Sequence, residues 1–238
     1  MISGNSIERK WHLSEKDFFW GLASEKKEFI SLSVPPVPHR IKKNEFIFLE
    51  EDLGDSAFYL ETGEVRISRI DSLGKESIVF VRYAGEMFGL AEIIGGEKRT
   101  CNAQAITNCL LYEIKKNDFE SLLRRHYPLA RRVMEVMGRR LRYLGEQIEN
   151  LMVCDVGTRL LKLLIYIGCH NLIDLSSLDK PIVVPVRLTQ EQIASMIGSS
   201  QQTVSETLKK LKEDGVIEIT RKEITLLKPK EILKYISA

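Results

Sequence analysis

Long apolar runs are missing from this 238-residue chain, and with them any helical segment able to cross a bilayer. The opening MISGNSIERKWHLSEKDFFW interleaves acidic and basic side chains where a secretory signal needs an unbroken apolar stretch, so a cytoplasmic location is expected. A strong excess of charge is missing too. Thirty-five Lys and Arg against 33 Asp and Glu leave a net +2, so any nucleic-acid surface has to be a local patch. Cysteine is scarce: Cys101, Cys109, Cys154 and Cys169 form no CxxC pair and no zinc-like spacing, which favours idle or buried thiols in a reducing compartment over disulfides. No nucleophile–base pair, metal-ligand cluster or phosphate-cradling glycine loop stands out, so no catalytic or metal-binding residue is assigned and an enzyme is not expected.

What is present is enough chain for two modest domains, each with its own core, at 44% hydrophobic and 29% charged residues. Three textures follow one another. From about residue 35 to 114, short β-rich runs alternate with glycines. EFIFLE, AFYLETGEVRISRI, SIVFVRYAGEMFGL and LLYEI read as strands, with Gly54, Gly63, Gly74, Gly85 and Gly89 in the gaps. That spacing points to a small barrel or jelly roll, not a parallel sheet with crossover helices. Before it, WHLSEKDFFWGLASEKKEFISLS reads as helix, ended by VPPVP.

From residue 127 to 154, Ala130, Met134, Met137, Leu141, Leu144, Ile148 and Leu151 recur at alternating spacings of four and three, a heptad seam flanked by charge. The stripe must be buried against a second copy of itself or against the chain's own barrel. Its length favours a homodimer touching through Met134, Met137, Leu141, Leu144, Ile148 and Leu151.

The third texture opens near residue 155 with the apolar helix VGTRLLKLLIYIG, followed by a polar loop and IVVPVRL. Thr189 and Gln192 in TQEQ fit a capping box, so a helix starts there, turns Ile193, Ala194 and Ile197 inward and ends at Gly198. Ser199 or Ser200 then caps a second helix reaching about Glu213, with Gly215 as a left-handed stop. In IGSSQQTVSETLKKL, Val204, Leu208 and Leu211 share one face, while Gln202, Ser205, Glu206 and Lys209 gather on another. Two short helices across a glycine turn describe a helix-turn-helix. VIEIT and EITLL, separated by Arg221-Lys222, add a hairpin wing.

In that setting the second helix lies in a DNA major groove. Gln202 can pair with an adenine, Glu206 can accept from a cytosine amino group, and Ser205 is permissive, with Thr189, Ser200 and Gln201 beside them. Lys209, Lys210, Arg221 and Lys222 are candidates for phosphate contacts. A winged helix also serves as a protein-docking module, and the residues alone leave that alternative open. Two copies joined along the seam would read an inverted repeat of duplex DNA.

Barrel, long helix and winged helix-turn-helix, in that order, resemble the cyclic AMP receptor/FNR family of bacterial transcription regulators. YLETGEVRI, AGEMFGL, RRLRYLGEQIENLMVCDVGTRLLKLL and LTQEQIASMIGSSQQTVSETLKKLKEDGVI carry the resemblance. It implies an α+β chain in three parts. These are a cyclic-nucleotide-binding-like β-roll (jelly roll) with N-terminal helices sensing an effector at 1–126, a long dimerisation helix at 127–154, and a winged helix-turn-helix at 155–238. It also admits RNA polymerase as a partner.

In members that bind cyclic AMP, a glycine–glutamate pair holds the ribose and an arginine–serine/threonine pair the phosphate. The glycine matches Gly89, but the glutamate position is Leu90. Arg99 and Thr100 keep the second pair if the loop between is one residue shorter. The threonine and serine that read the adenine align with Leu144 and Gly145, neither of which offers a side-chain hydrogen bond. A ribose buried against Leu90 would lose an acceptor, at roughly 1–3 kcal/mol. An effector other than cyclic AMP is therefore expected near Gly89, Leu90, Arg99, Thr100, Leu144 and Gly145. Arg99-Thr100 either binds an anionic small molecule or Arg99 pairs with a nearby acid. Residues 1–100 contain no cysteine, which disfavours an iron–sulfur cluster, and His12, His39 and His126 are weak grounds for haem. Many family members carry an arginine where this chain has Glu206 and a glutamate where it has Gln202, so a departure from the common operator is expected.

Overall fold

The computed structural model describes residues 18–74, 76–169, 178–185, 188–220 and 223–236. By its internal contacts the chain divides into two compact units that part within one helix, between Gly138 and Arg139.

In the N-terminal unit, helix α1 (Ala23–Leu32) precedes eight strands: β1 (His39–Ile41), β2 (Phe46–Phe48), β3 (Ser56–Thr62), β4 (Glu64–Ile70), β5 (Glu76–Tyr83), β6 (Met87–Phe88), β7 (Asn102–Ala105) and β8 (Cys109–Lys115). A short helix α2 (Leu90–Gly95) lies between β6 and β7, and α3 (Lys116–Arg125) leads into the long α4 (Tyr127–Val153). The strands form two four-stranded sheets, ordered β1-β8-β3-β6 and β2-β7-β4-β5, with antiparallel pairings throughout. Their inward residues supply the core: Phe58, Leu60, Val65, Phe88 and Leu111 make one cluster. Tyr59, Met87, Leu90, Ile93 and Ile114 make another with Phe29, Phe119 and Leu122 of the helices.

Two expectations change here. The stretch expected as one helix from residue 11 to 33 is a turn at 18–21 followed by α1, while residues 11–17 lie outside the described residues. Strands β1 and β7 were not anticipated, because HRI and NAQA are too short and too polar to announce themselves by alternation.

The C-terminal unit holds the rest of α4, then α5 (Val156–Cys169), β9 (Ile182–Pro185), α6 (Gln190–Met196), α7 (Gln201–Glu213), β10 (Ile217–Ile219), β11 (Glu223–Leu226) and α8 (Pro229–Ile236). The wing is a three-stranded sheet ordered β10-β11-β9, so β9 extends the expected hairpin. Leu160, Leu164 and Ile165 of α5 pack with Ile193, Val204, Leu208, Ile224 and Leu233 in one core.

Candidate functional site

Helix α6 begins where a capping box forms. Thr189 Oγ1 accepts from the Gln192 backbone N–H at 3.1 Å, and Gln192 Oε1 accepts from the Thr189 N–H at 2.9 Å. The Thr189 hydroxyl oxygen thus serves the cap as an acceptor. After Ile197, Gly198 takes φ +62°, a left-handed backbone that favours glycine, and a Cβ there would lie 2.8 Å from Leu151 Cδ2, which would have to move. Arg159 of α5 holds that turn, donating from Nη2 to the Gly198 carbonyl at 3.3 Å and from Nη1 to the Cys154 carbonyl at 3.0 Å. Ser200 Oγ accepts from the Thr203 N–H at 3.1 Å and starts α7.

Burial of Val204 and Leu208 fixes the rotation of α7. Gln201, Gln202, Ser205, Glu206 and Lys209 are consequently all exposed. Gln202 Nε2 donates to Glu206 Oε1 at 3.0 Å, an i,i+4 contact that joins two of the expected base-reading residues. Lys209 lies 3.9 Å from Glu213, an exposed pair of little energetic weight. Lys210 is exposed, and Arg221 and Lys222 lie outside the described residues. Beside this face a cavity of about 710 Å³ is lined by residues that include Asp155, Glu206, Thr207, Lys210, Lys228 and Tyr235; Gly89, Leu90, Arg99 and Thr100 do not line it.

In the N-terminal unit, Gly89 has φ +71° and heads α2. A Cβ on it would lie 3.0 Å from Arg99 Nη1 and 3.1 Å from the Ser56 carbonyl oxygen, so both the left-handed backbone and the close approach of Arg99 favour glycine. Arg99 is 1% exposed. Its Nη1 donates to the Gly89 carbonyl and to Glu92 Oε2, each at 3.1 Å, Nη2 donates to the Ser56 carbonyl, and the guanidinium carbon lies 4.2 Å from the Phe48 ring centroid. Thr100 Oγ1 donates to the other Glu92 oxygen at 3.3 Å. Of the two open readings of Arg99, the geometry displays pairing with an acid, and the acid is Glu92. Leu90 is buried among Met87, Ile93 and their neighbours, so its side chain serves packing. Burial pushes the Cys101 and Cys109 thiols up, which keeps them protonated and poorly nucleophilic.

Helix α4 carries two stripes. Leu129, Val133 and Val136 are buried in the N-terminal unit, and Met137 packs partly against the same core. Met134, Leu141, Leu144, Ile148 and Leu151 are exposed, as is Gly145. His126 Nε2 contacts Glu28 Oε2 at 2.5 Å and His39 Nε2 contacts the Val34 carbonyl. His12 lies outside the described residues. Among the described residues no group of three or more His, Cys, Asp or Glu is placed to hold a metal ion, and no helix is long and apolar enough to cross a membrane.

Sequence reasoning missed Glu92, Ser56 and Phe48 as partners of Arg99. Only Glu92 left a trace: it is an acid seven residues before Arg99, with the Gly95-Gly96 turn between to bring the two together.

Residues 38–126 match the cyclic nucleotide-binding domain family, and residues 158–235 match the Crp-like helix-turn-helix domain family. The global nitrogen regulator of Synechocystis sp. is 28% identical over 200 residues, covering 82% of this chain and 87% of its own. The cAMP-activated global transcriptional regulator CRP of Haemophilus influenzae is 26% identical over 185 residues, covering 77% and 80%. Among solved structures, a CooA mutant from Carboxydothermus hydrogenoformans superposes with a TM-score of 0.74 at 20% identity, over 93% of this chain and 96% of that one, a likeness of fold.

Proposed function

The chain belongs to the CRP/FNR family of transcription regulators, and we propose that it acts as a cytoplasmic homodimer reading an inverted-repeat operator under the control of a small effector. The family is one of regulators, not enzymes. The observation that carries the reading is the exposed row on α7. Gln201, Gln202, Ser205, Glu206 and Lys209 face solvent together because Val204 and Leu208 are buried behind them. Such a row on the second helix of a helix-turn-helix is what meets base edges in a major groove.

The Gln202–Glu206 contact leaves the Gln202 amide oxygen with its second N–H, and the second Glu206 oxygen, for bases, which suits adenine and cytosine at the positions they meet. Lys209 and Lys210, with Arg221 and Lys222 between the wing strands in sequence, supply phosphate contacts. The exposed stripe Met134, Leu141, Leu144, Ile148 and Leu151 is the dimer contact, and it sets the separation of the two reading helices. The division of labour is a sensor over 1–126, a dimer helix over 127–154 and a DNA head over 155–238.

The effector belongs to the sensor domain, and cyclic AMP is a poor candidate because Leu90 offers no acceptor for a ribose. Helix α4, shared by both units, is the element whose dimer arrangement the effector biases, by binding two arrangements with different affinity. RNA polymerase is a further partner for such a regulator.

Random-site selection with the full-length protein, followed by anisotropy titrations over a range of salt, tests this reading. The expected result is a two-fold symmetric site bound with a steep salt dependence, as phosphate contacts require. Weak salt dependence, or enrichment of no duplex, would point instead to a protein-docking winged helix.

A further inference from the structure

We propose that Glu92 is a resident anion: the Arg99–Thr100 site is filled by the chain itself and takes an external anion only when Glu92 leaves. A guanidinium that is 1% exposed needs a counter-charge, and Glu92 provides it at 3.1 Å. The carboxylate is held from two sides, one oxygen by Arg99 Nη1 and the other by the Thr100 hydroxyl. These are the contacts a small bound carboxylate or phosphate would make. The Glu92 side chain is itself only 13% exposed. The rest of the guanidinium is tied to the chain as well, through the Gly89 and Ser56 carbonyls and the Phe48 ring. Its Nε is buried without a partner, so one donor atom of the site is left unpaired.

A tethered group acts at an effective concentration of roughly millimolar or more, so a free anion of similar chemistry loses to Glu92 unless it is abundant or makes contacts elsewhere. An incoming anion also meets the negative charge of Glu92 before it meets Arg99. The consequence is that anionic effectors, cyclic nucleotides included, do not enter this site at ordinary concentrations. The sensor keeps its buried arginine neutralised with nothing bound.

This inference rests on reading the N-terminal unit as the sensor, and it is tested without relying on DNA. Inorganic phosphate, acetate and cyclic AMP are titrated into full-length protein at constant ionic strength, with calorimetry and thermal melting as readouts. Wild type is expected to show no binding heat and no rise in melting temperature. Glu92→Ala is expected to melt lower and to recover with tens of millimolar acetate, but not with chloride at the same ionic strength. Adding Thr100→Val to Glu92→Ala is expected to weaken that rescue several-fold.

Micromolar binding of phosphate or cyclic AMP to wild type, lost in Thr100→Val, overturns the proposal, as does equal rescue of Glu92→Ala by chloride and acetate. If Glu92→Ala does not fold, the arginine side-chain N–H resonances of wild type decide. Arg99 signals that stay put as phosphate is added support a filled site, and signals that shift refute it. DNA affinity is measured on the same wild-type sample. Its absence would strike the regulator reading alone, and anion binding to wild type would strike this inference alone.

Discussion

Leu141 gives the most direct access to the dimer. It is 72% exposed, on a helix whose other stripe is already buried at home, so almost three quarters of its side chain has burial still to gain. Fully burying a leucine side chain is worth about 1.5–3 kcal/mol, so pairing would realise about 1–2 kcal/mol per protomer. Symmetry counts the change twice, and Leu141→Ala should weaken the dimer by about 2–4 kcal/mol, roughly 30- to 700-fold in dissociation constant at about 1.4 kcal/mol per decade. The isolated protomer should scarcely notice, since substitutions at exposed sites usually stay within about 0.5 kcal/mol.

Sedimentation equilibrium over a wide concentration range measures the first quantity and thermal melting of dilute protein the second. DNA binding adds a third readout. Affinity for a full inverted repeat should fall while affinity for a half-site holds. A dissociation constant unchanged within about threefold, or a protomer destabilised by more than about 1 kcal/mol, would refute the seam as the contact, because such a Leu141 would be packing within its own chain.

Thr189→Ala removes the hydroxyl half of the capping box, leaving the Thr189 backbone N–H to Gln192, and should cost about 1 kcal/mol in thermal denaturation, whereas Thr189→Ser should cost much less; equal losses would mean the hydroxyl is not what matters. Glu206→Arg replaces an acceptor by a bidentate donor and should move the selected operator toward guanine at the position it meets, with about 1–3 kcal/mol of discrimination in binding titrations. An unchanged selected site would remove α7 from base reading. Asp155 precedes α5 and accepts from the Thr158 N–H at 2.7 Å, and that backbone hydrogen bond, then the Thr158 side chain, holds its carboxyl below the ordinary range against a small opposing effect of burial. A carboxyl depressed in the folded state adds stability that is present above its unfolded pKa and lost as pH falls through the folded one. Melting temperature should therefore drop less steeply on acidification in Asp155→Asn than in wild type; parallel acid limbs would show that Asp155 does not contribute.

The C-terminal unit was the most legible part of the sequence because its signals are local. Thr189 with Gln192, Gly198, Ser200 and Gly215 each mark a boundary within a few residues of the chain, and the burial of Val204 and Leu208 follows from helical period alone. The β-roll was legible as a set of strands but not as a sheet order. The pairing of β2 with β7 and of β1 with β8 joins residues far apart in the chain, and neither HRI nor NAQA carries an alternating pattern. The seam was legible, while its neighbour stripe was not weighed. Leu129, Val133 and Val136 are as apolar as the seam, and only tertiary packing separates the stripe kept at home from the one left in solvent.

Arg99 was legible as a charged residue that either binds an anion or pairs with a nearby acid, but not as one neutralised by Glu92, and the reason is physical. Binding an anion and neutralising a buried guanidinium require the same residue types, so the sequence around Arg99 reads alike for both. What separates them is where the counter-charge comes from. Helix α2 places Glu92 one turn after Gly89, and the Gly95-Gly96 turn brings the chain back so that Arg99 and Thr100 meet the two oxygens of that carboxylate. A one-residue change in that loop would rotate or shift the pair relative to Glu92. Loop length thus decides whether the arginine is open to a ligand or closed by its own chain, and no inventory of residue types in this stretch reveals which.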